Sequence, residues 1–135
     1  MRKEATFTVR KGATFSFVGE DEDGVEDLLD AEPGTVRSIH QQLFAIEDDE
    51  TWDHGSEPVG TLYGVVVVAG GRNAVCHLVF SIGEGTLVAT GVLPTGSSFV
   101  GDGWIAVTGG TEGLFRASGA CQVSTRNPKR WDIFI

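Results

Sequence analysis

The densest group of residues that could do chemistry is the run EDDETWDH, from Glu47 to His54. Five carboxylates fall within seven residues, and they repel one another unless they are solvated, bound to a metal ion or partly protonated. One interpretation is a solvated acidic loop, the usual setting of such a run. The other places the run at the end of a predicted strand, where Glu47 and Asp49 would both face a barrel lumen. A carboxyl group facing an apolar lumen can serve as a general acid or base.

His54 stands beside these acids and suggests a metal site as an alternative. One histidine with clustered carboxylates on a loop is a weak signal for metal binding. His40 and His77 lie on other predicted strands, and nothing in the sequence brings them to His54. We therefore predict no metal site.

Two glycine-rich segments, TGGTEG (108–113) and GDGW (101–104), resemble phosphate-binding loops only in composition. A phosphate loop needs a helix N-terminus directly after its glycines, whereas the strand pattern LFRASGACQV follows TGGTEG. The sequence has no Gly-x-Ser-x-Gly elbow, and the neighbours Cys76 and His77 would point to opposite faces of a strand. We predict neither a bound nucleotide nor a covalent nucleophile.

Short β-strands must position these residues. Apolar and alternating runs are separated by turn signals such as AGGRN, GEGT, PTGSS and TRNPK, as in all-β proteins. An alternating segment around Lys11-Gly12 predicts a hairpin, and the acidic stretch 20–34 predicts a surface loop. The later predicted strands are Val36–Ile46, Val59–Ala69, Ala74–Ile82, Thr86–Leu93, Gly103–Thr108, Leu114–Val123 and Trp131–Ile135. About eight short strands indicate a sandwich or an up-and-down barrel, and the long hairpins favour a single eight-stranded antiparallel β-barrel over residues 1–135.

Several of these strands are apolar on both faces, as in VGTLYGVVVV and AVCHLVFSI. A barrel strand with one wet face should alternate more cleanly. Two apolar faces suggest a lumen on one side and a covering subunit on the other. We therefore expect a homo-oligomer, either a dimer or a trimer.

Composition excludes several classes of protein. The chain of 135 residues carries 19 acids against 10 bases, a net charge of -9, which would repel nucleic acid. The start of the sequence shows no signal-peptide pattern, and the longest apolar run, Val65 to Ala69, is too short to span a bilayer. Cys76 and Cys121 fall in apolar runs and predict free buried thiols. We expect a cytoplasmic protein that binds neither nucleic acid nor membrane.

Three blocks in fixed order resemble a known barrel family. They are FAIEDDETWDHGSEPVGTLYG, FSIGEGTLVATG and WIAVTGGTEGLFRASGACQV, and together they cover about residues 40 to 123. The order is similar to that in allene oxide cyclases, dirigent proteins and bacterial spirotetronate cyclases. The acidic run looks most like that of the spirotetronate cyclases, which close a ring by an intramolecular 4+2 cycloaddition of a polyketide.

The resemblance implies an eight-stranded barrel, no cofactor and a small hydrophobic substrate in the lumen. Glu47 matches the lumenal glutamate of the allene oxide cyclases. Asp49 matches their lumenal asparagine and an aspartate that dirigent proteins are thought to use. The chain departs from the spirotetronate cyclases at Cys76, where they carry a tyrosine, and near Val123, where they carry a tryptophan.

We therefore predict a cofactor-free, Diels-Alderase-like cyclase of natural-product biosynthesis, with Glu47 and Asp49 as its catalytic residues. The predicted substrate-binding wall consists of Tyr63, Cys76, Leu78, Phe80, Trp104 and Phe115. Two alternatives stay open: a dirigent-like or carrier barrel that binds an apolar molecule without changing it, and a barrel filled by its own side chains that acts through its surface.

Overall fold

The computed structural model describes residues 14–21, 27–83, 85–96, 99–124 and 129–135. Within these ranges the chain forms nine β-strands and one short 3₁₀ helix, Glu112–Leu114, between β7 and β8. The strands, in chain order, are β1 (Thr14–Asp21), β2 (Val36–Ala45), β3 (Gly60–Ala69), β4 (Asn73–Ile82), β5 (Gly85–Gly96), β6 (Phe99–Val100), β7 (Gly103–Gly110), β8 (Gly119–Ser124) and β9 (Lys129–Phe134). Among the described residues we find no helix with the length and apolar character needed to cross a membrane.

The strands form one antiparallel sheet that closes on itself. Their order is β4-β3-β2-β1-β9-β8-β7-β5, and β4 also pairs with β5, which completes the ring. The two-residue strand β6 pairs with β5 outside this ring. The predicted all-β fold, an eight-stranded antiparallel barrel, is confirmed.

The predicted strands match the observed ones except at two places, and the two-residue strand β6 was not predicted. The first arm of the hairpin around Lys11-Gly12 lies outside the described residues. The predicted strand Leu114–Val123 is wrong in its first half, because β8 begins only at Gly119. Before that point Leu114 turns into the core, whereas Phe115 is 70% exposed. Leu114 closes the end of the barrel, and neither residue pairs as part of a strand.

The inward face of β3 explains two of the glycines. Leu62 and Val66 are buried in the lumen at 0% and 1% exposure, and Gly60 and Gly64 share their strand phase. A Cβ on Gly64 would lie 2.5 Å from Cδ2 of Leu78 on β4. Glycine is therefore required where side chains of the next strand crowd the lumen.

The lumen is packed with the chain's own side chains. Phe17, Phe80 and Trp131 are 0% exposed, and the rings of Phe80 and Trp131 meet edge to face with centroids 5.7 Å apart. A side chain that lined even a water-sized cavity would keep some exposed area, so no such space adjoins these rings. We expected an open apolar cavity, but in this structure the described side chains fill it.

The outer face of β2 to β5 is an aligned grid. Every second residue points outward, from Val36 to Gln42 on β2, Thr61 to Val67 on β3, Val75 to Ser81 on β4 and Thr86 to Val92 on β5. None of these outward residues is Asp, Glu, Lys or Arg. We call this surface the neutral face.

Candidate functional site

The acidic run lies outside the barrel, across β1. Val18 points outward by strand alternation and is nevertheless 0% exposed. The chain after β2 returns across this face: the Ile46 N–H donates to the Ser16 carbonyl at 3.0 Å, and His54 pairs with Ile46 in an isolated antiparallel bridge. Residues 47–54 therefore form a loop on the outer surface, which we call the acidic loop.

Arg130 anchors the acidic loop to β9. Its Nε donates to both carboxylate oxygens of Asp132, at 3.1 and 3.0 Å. Its Nη1 donates to the Asp49 carbonyl at 3.1 Å, and its Nη2 donates to Asp49 Oδ1 at 2.9 Å and to Ser16 Oγ at 3.4 Å. The Ser16 hydroxyl in turn donates to Asp132. The four residues form one network that joins β1, β9 and the loop.

This network is largely shielded from water. The side chains of Arg130 and Asp132 are 13% and 11% exposed, and the Trp52 ring lies 5.5 Å from the guanidinium carbon, within cation–π range. Burial alone would lower the pKa of Arg130, but its hydrogen bonds and charge interactions with Asp132 and Asp49 outweigh burial and raise it. The guanidinium is a permanent cation, and the buried carboxylate of Asp132 depends on it.

Asp49 does not face the lumen, contrary to the expectation from the sequence. Its side chain is 83% exposed and bound to Arg130, which alternates outward from the lumenal Trp131 on β9. Glu47 lies at the base of the loop, exposed and beside Gly55. The reason is that β2 ends at Ala45, so strand alternation stops before the acidic run. Only Glu47 remains near the end of the barrel.

No group of three His, Cys, Asp or Glu converges as metal ligands in the part of the chain that the structure describes. His54 instead has its Nδ1 2.8 Å from the Gly55 carbonyl. Its ring lies against Phe44, and its Nε2 lies 3.8 Å from a carboxylate oxygen of Glu20. These contacts hold the histidine at the end of the acidic loop.

The structure divides the six predicted wall residues by strand phase. Cys76, Leu78 and Phe80 alternate inward on β4 and are buried in the lumen. The other three lie outside it: Tyr63, Trp104 and Phe115 are 51%, 55% and 70% exposed. Both faces of β3 are apolar, so the sequence alone does not show which of them faces the lumen. In the structure Tyr63 pairs with the outward Val79 of β4 and therefore points outward as well.

Two lumenal polar residues were missed by sequence reasoning. Gln41 is 1% exposed, and its Oε1 accepts a hydrogen bond of 2.9 Å from Trp131 Nε1. Lys129 is 4% exposed and precedes Trp131 in the same strand phase. Each is a polar residue two positions from a buried hydrophobic one. A polar residue at an inward-facing position of an otherwise apolar strand face is the signal by which both could have been found.

The two thiols are buried as predicted, and we expect them to be unreactive. Burial raises the pKa of Cys76 to about 11, against a smaller opposing effect of the Lys129 ammonium. Burial, together with the Asp132 carboxylate, raises the pKa of Cys121 to about 12. Because the thiolate is the nucleophile, iodoacetamide at neutral pH should label neither cysteine until the protein is unfolded. Mass spectrometry of the labelled chain measures this, and rapid labelling of the folded protein would contradict the packing.

These pKa values also make stability depend on pH. Thiols of the unfolded chain ionise near pH 8.5, whereas the folded chain keeps its thiol protons until about pH 11 and 12. The free energy of unfolding should therefore fall as the pH rises above about 9, by about 1 to 2 kcal/mol per thiol at pH 10. Urea unfolding at pH 8 and pH 10 measures the fall. A double variant, Cys76→Ala with Cys121→Ala, should show a smaller one; an equal fall would assign it to other groups.

Leucines from irregular chain close both ends of the lumen. Leu28, 1% exposed, donates its N–H to the Gly96 carbonyl at 2.9 Å, at the end of β5. At the opposite end Leu114, 3% exposed, ends the 3₁₀ helix. We call residues 112–118 the lid.

The lid is held in a strained conformation. Glu112 and Arg116 have φ angles of 54° and 63°, in the left-handed region that costs a non-glycine residue about 1–3 kcal/mol. The lid meets the barrel at Thr111, whose N–H donates to the Thr86 carbonyl at 2.9 Å. Its inner hydrogen bonds are local, such as Ala117 N–H to the Leu114 carbonyl at 3.0 Å. Leu114 lies outside the strands, so side-chain packing and local hydrogen bonds hold it in the lumen and strand pairing does not.

Two pockets lie beside the plugs. A cavity of about 70 Å³ is lined by the lid and Ile135, which is well below the roughly 300 Å³ of ordinary ligand sites. At the opposite end an open groove of about 400 Å³ is lined by residues that include Asp27, Asp30 and Arg37. Neither pocket contains the acidic loop or the lumenal wall of β4.

The fold of this chain is similar to that of a solved pyocyanin demethylase. The match has a TM-score of 0.66 at 16% sequence identity, and it covers 89% of this chain and 97% of the other. At this identity the similarity concerns the fold alone. No family model and no curated protein sequence matches the chain. The barrel implied by the sequence resemblance is thus confirmed, whereas the specific relationship to allene oxide cyclases, dirigent proteins or spirotetronate cyclases stays a prediction.

Proposed function

We propose that this chain binds an apolar, unsaturated small molecule in the barrel lumen and closes a ring in it without a cofactor. The observation that carries the proposal is an apolar lumen whose two ends are closed by plugs on irregular chain, Leu28 and Leu114. The packed lumen is then the closed state, and movement of the lid admits the substrate. The solved barrel of similar fold is named for chemistry on a small molecule, pyocyanin, which supports a small-molecule role.

The few polar groups near the lumen would orient the substrate. The amide of Gln41 and the indole N–H of Trp131 meet inside the barrel, and Lys129 lies at the Leu28 end, near Cys76. Glu47, at the base of the acidic loop, is on the same end of the barrel as the lid, and it is the carboxylate we propose to hold or polarise a polar substrate group. Asp49, committed to Arg130, would position the loop.

Ring closure of a flexible substrate depends mainly on a binding site that holds its two reacting ends in the right geometry. A wall that holds the two reacting ends of a flexible chain together can supply roughly 7–11 kcal/mol of the barrier through proximity and orientation. The rings of Phe17, Phe80 and Trp131 provide such a wall: all three are buried in the lumen, and Phe80 meets Trp131 edge to face. A carrier that binds the same molecule without changing it is the second candidate, favoured by the scarcity of lumenal acids and bases.

A polyene probe tests the proposed site. In a titration with cis-parinaric acid, energy transfer from tryptophan should saturate at one probe per chain. Leu114→Ala removes the plug and, because truncating a buried leucine costs the closed state about 2–5 kcal/mol, should speed probe entry by tenfold or more. Leu29→Ala is the matched control, because Leu29 lies in a loop and is 41% exposed.

Equal entry rates in the Leu114→Ala and Leu29→Ala variants would contradict entry through the lid. Absence of saturable binding in all three proteins would contradict the lumenal site. Candidate polyene substrates that bind can then be recovered and analysed by mass spectrometry and NMR. A ring-closed product supports the cyclase, and an unchanged molecule supports the carrier.

A further inference from the structure

We propose that the neutral face is the surface through which two copies of this chain associate. This proposal is independent of the lumenal site, since it concerns only the outer face of β2 to β5.

The apolar part of the neutral face is a continuous row of valines. Val36 pairs with Val67, Val67 with Val75 and Val75 with Val92, so that one residue from each of four adjacent strands stands in line. Their exposures are 55%, 37%, 48% and 56%. A row of exposed β-branched side chains across four strands exceeds the single apolar residues that a solvated surface normally shows.

An aromatic pair lies on the same face. His40 and Tyr63 are directly opposed on β2 and β3, and their rings stack at 5.0 Å with an interplanar angle of 10°. Tyr63 is 51% exposed. A pre-ordered, half-exposed aromatic pair loses little freedom when a partner covers it, as is typical of interface centres.

The charge distribution identifies the partner. Solvated protein surfaces are roughly 25–35% charged, but the outward grid of the neutral face holds no Asp, Glu, Lys or Arg. Two copies, each with a net charge of -9, repel one another at their acidic surfaces. In the strand order, β9 with its bound acidic loop lies on the opposite side of the ring from β4. Copies that meet at their neutral faces therefore keep their acidic loops far apart.

A different macromolecule fits this face less well. A basic partner would be drawn to the acidic loop, and nucleic acid would be repelled by the net charge. The face carries serine and threonine hydroxyls beside its valines, so it can meet its own copy about a twofold axis with apolar and polar side chains matched. The second copy is the occupant to which these observations lead.

Sedimentation velocity at micromolar concentration tests the proposal. The wild-type protein should sediment as a multiple of its 14.3 kDa chain. The double variant Val67→Glu with Val75→Glu puts like charges on both copies at the contact, so its association constant should fall about 100-fold or more. The matched control adds the same two charges outside the face, as Leu29→Glu with Phe115→Glu, and should associate like the wild type.

Circular dichroism confirms that each variant is folded, since all four positions are exposed. A monomeric wild-type protein would overturn the proposal. Equal association of the face variant and the wild type would also overturn it, as would equal loss of association in the control, because net charge would then be the cause.

Discussion

Arg130→Met is expected to lower the free energy of unfolding by about 3–5 kcal/mol, the usual result of removing one member of a buried ion pair. The loss is large because the carboxylate of Asp132, 11% exposed, accepts two hydrogen bonds from Arg130 Nε. Without the guanidinium this charge stays buried and uncompensated. Thermal unfolding followed by circular dichroism measures the change, and a fall in Tm of 10 °C or more corresponds to about 3 kcal/mol in a domain of this size.

Two further variants separate the buried charge from simple loss of a side chain. Arg116→Met removes an exposed arginine whose ring partner is the neighbouring Phe115, and it should change Tm little. Arg130→Met combined with Asp132→Leu removes both charges and should recover most of the lost stability. If the double variant is as unstable as Arg130→Met, the network does not act as described.

The anchoring role of Arg130 has its own readout. Its contacts with the Asp49 carbonyl and carboxylate tie the acidic loop to β9. In Arg130→Met, backbone amides of residues 47–54 should exchange with deuterium faster than the same amides of the wild type, even under conditions where the barrel stays folded. Unchanged exchange in the loop would show that other contacts hold it.

Phe80→Ala is the second change with a large expected effect. Phe80 is 0% exposed and packs edge to face on Trp131, so its truncation should cost about 3–5 kcal/mol. The matched control is Tyr63→Ala, on the opposite face of the neighbouring strand and 51% exposed, which should cost under about 1 kcal/mol. Urea unfolding of the three proteins gives both values.

The space left by Phe80→Ala also reports on the lumen. An apolar cavity of that kind binds small aromatic molecules, so benzene or indole should raise the Tm of Phe80→Ala more than that of the wild type or Tyr63→Ala. For a cyclase, the same change should slow turnover or alter the stereochemistry of the product. A variant with normal stability and no response to benzene would contradict a packed lumen at this position.

Local patterns were enough to predict most strands. β2, β3, β4 and β7 follow from apolar runs bounded by glycine and asparagine turns, and the number of such runs indicates a barrel. The strand predicted from Leu114 failed because LFRA has the composition of a strand, whereas in the structure Leu114 alone is buried, as a plug, and Phe115 is exposed. Positive φ angles at Glu112 and Arg116, which no local pattern announces, turn the chain there.

The candidate site depended on contacts that sequence spacing does not show. Asp49 follows the end of β2, and its side chain binds Arg130, which is distant in the chain and points outward on β9. That contact exists only because β1 pairs with β9 to close the ring. The phase of β3 was equally hidden, since both of its faces are apolar. Pairing with β4 places Tyr63 opposite the outward Val79, and it places Gly64 where Leu78 leaves no room for a Cβ.

Native mass spectrometry shows whether the lumen receives an apolar small molecule. The protein is measured as purified and again after saturation with cis-parinaric acid, and denaturation then releases and identifies any bound molecule. We expect one apolar molecule per chain, with more retained by Leu114→Ala than by Leu29→Ala. A protein that stays empty in both measurements would contradict the claim and leave a barrel filled by its own side chains.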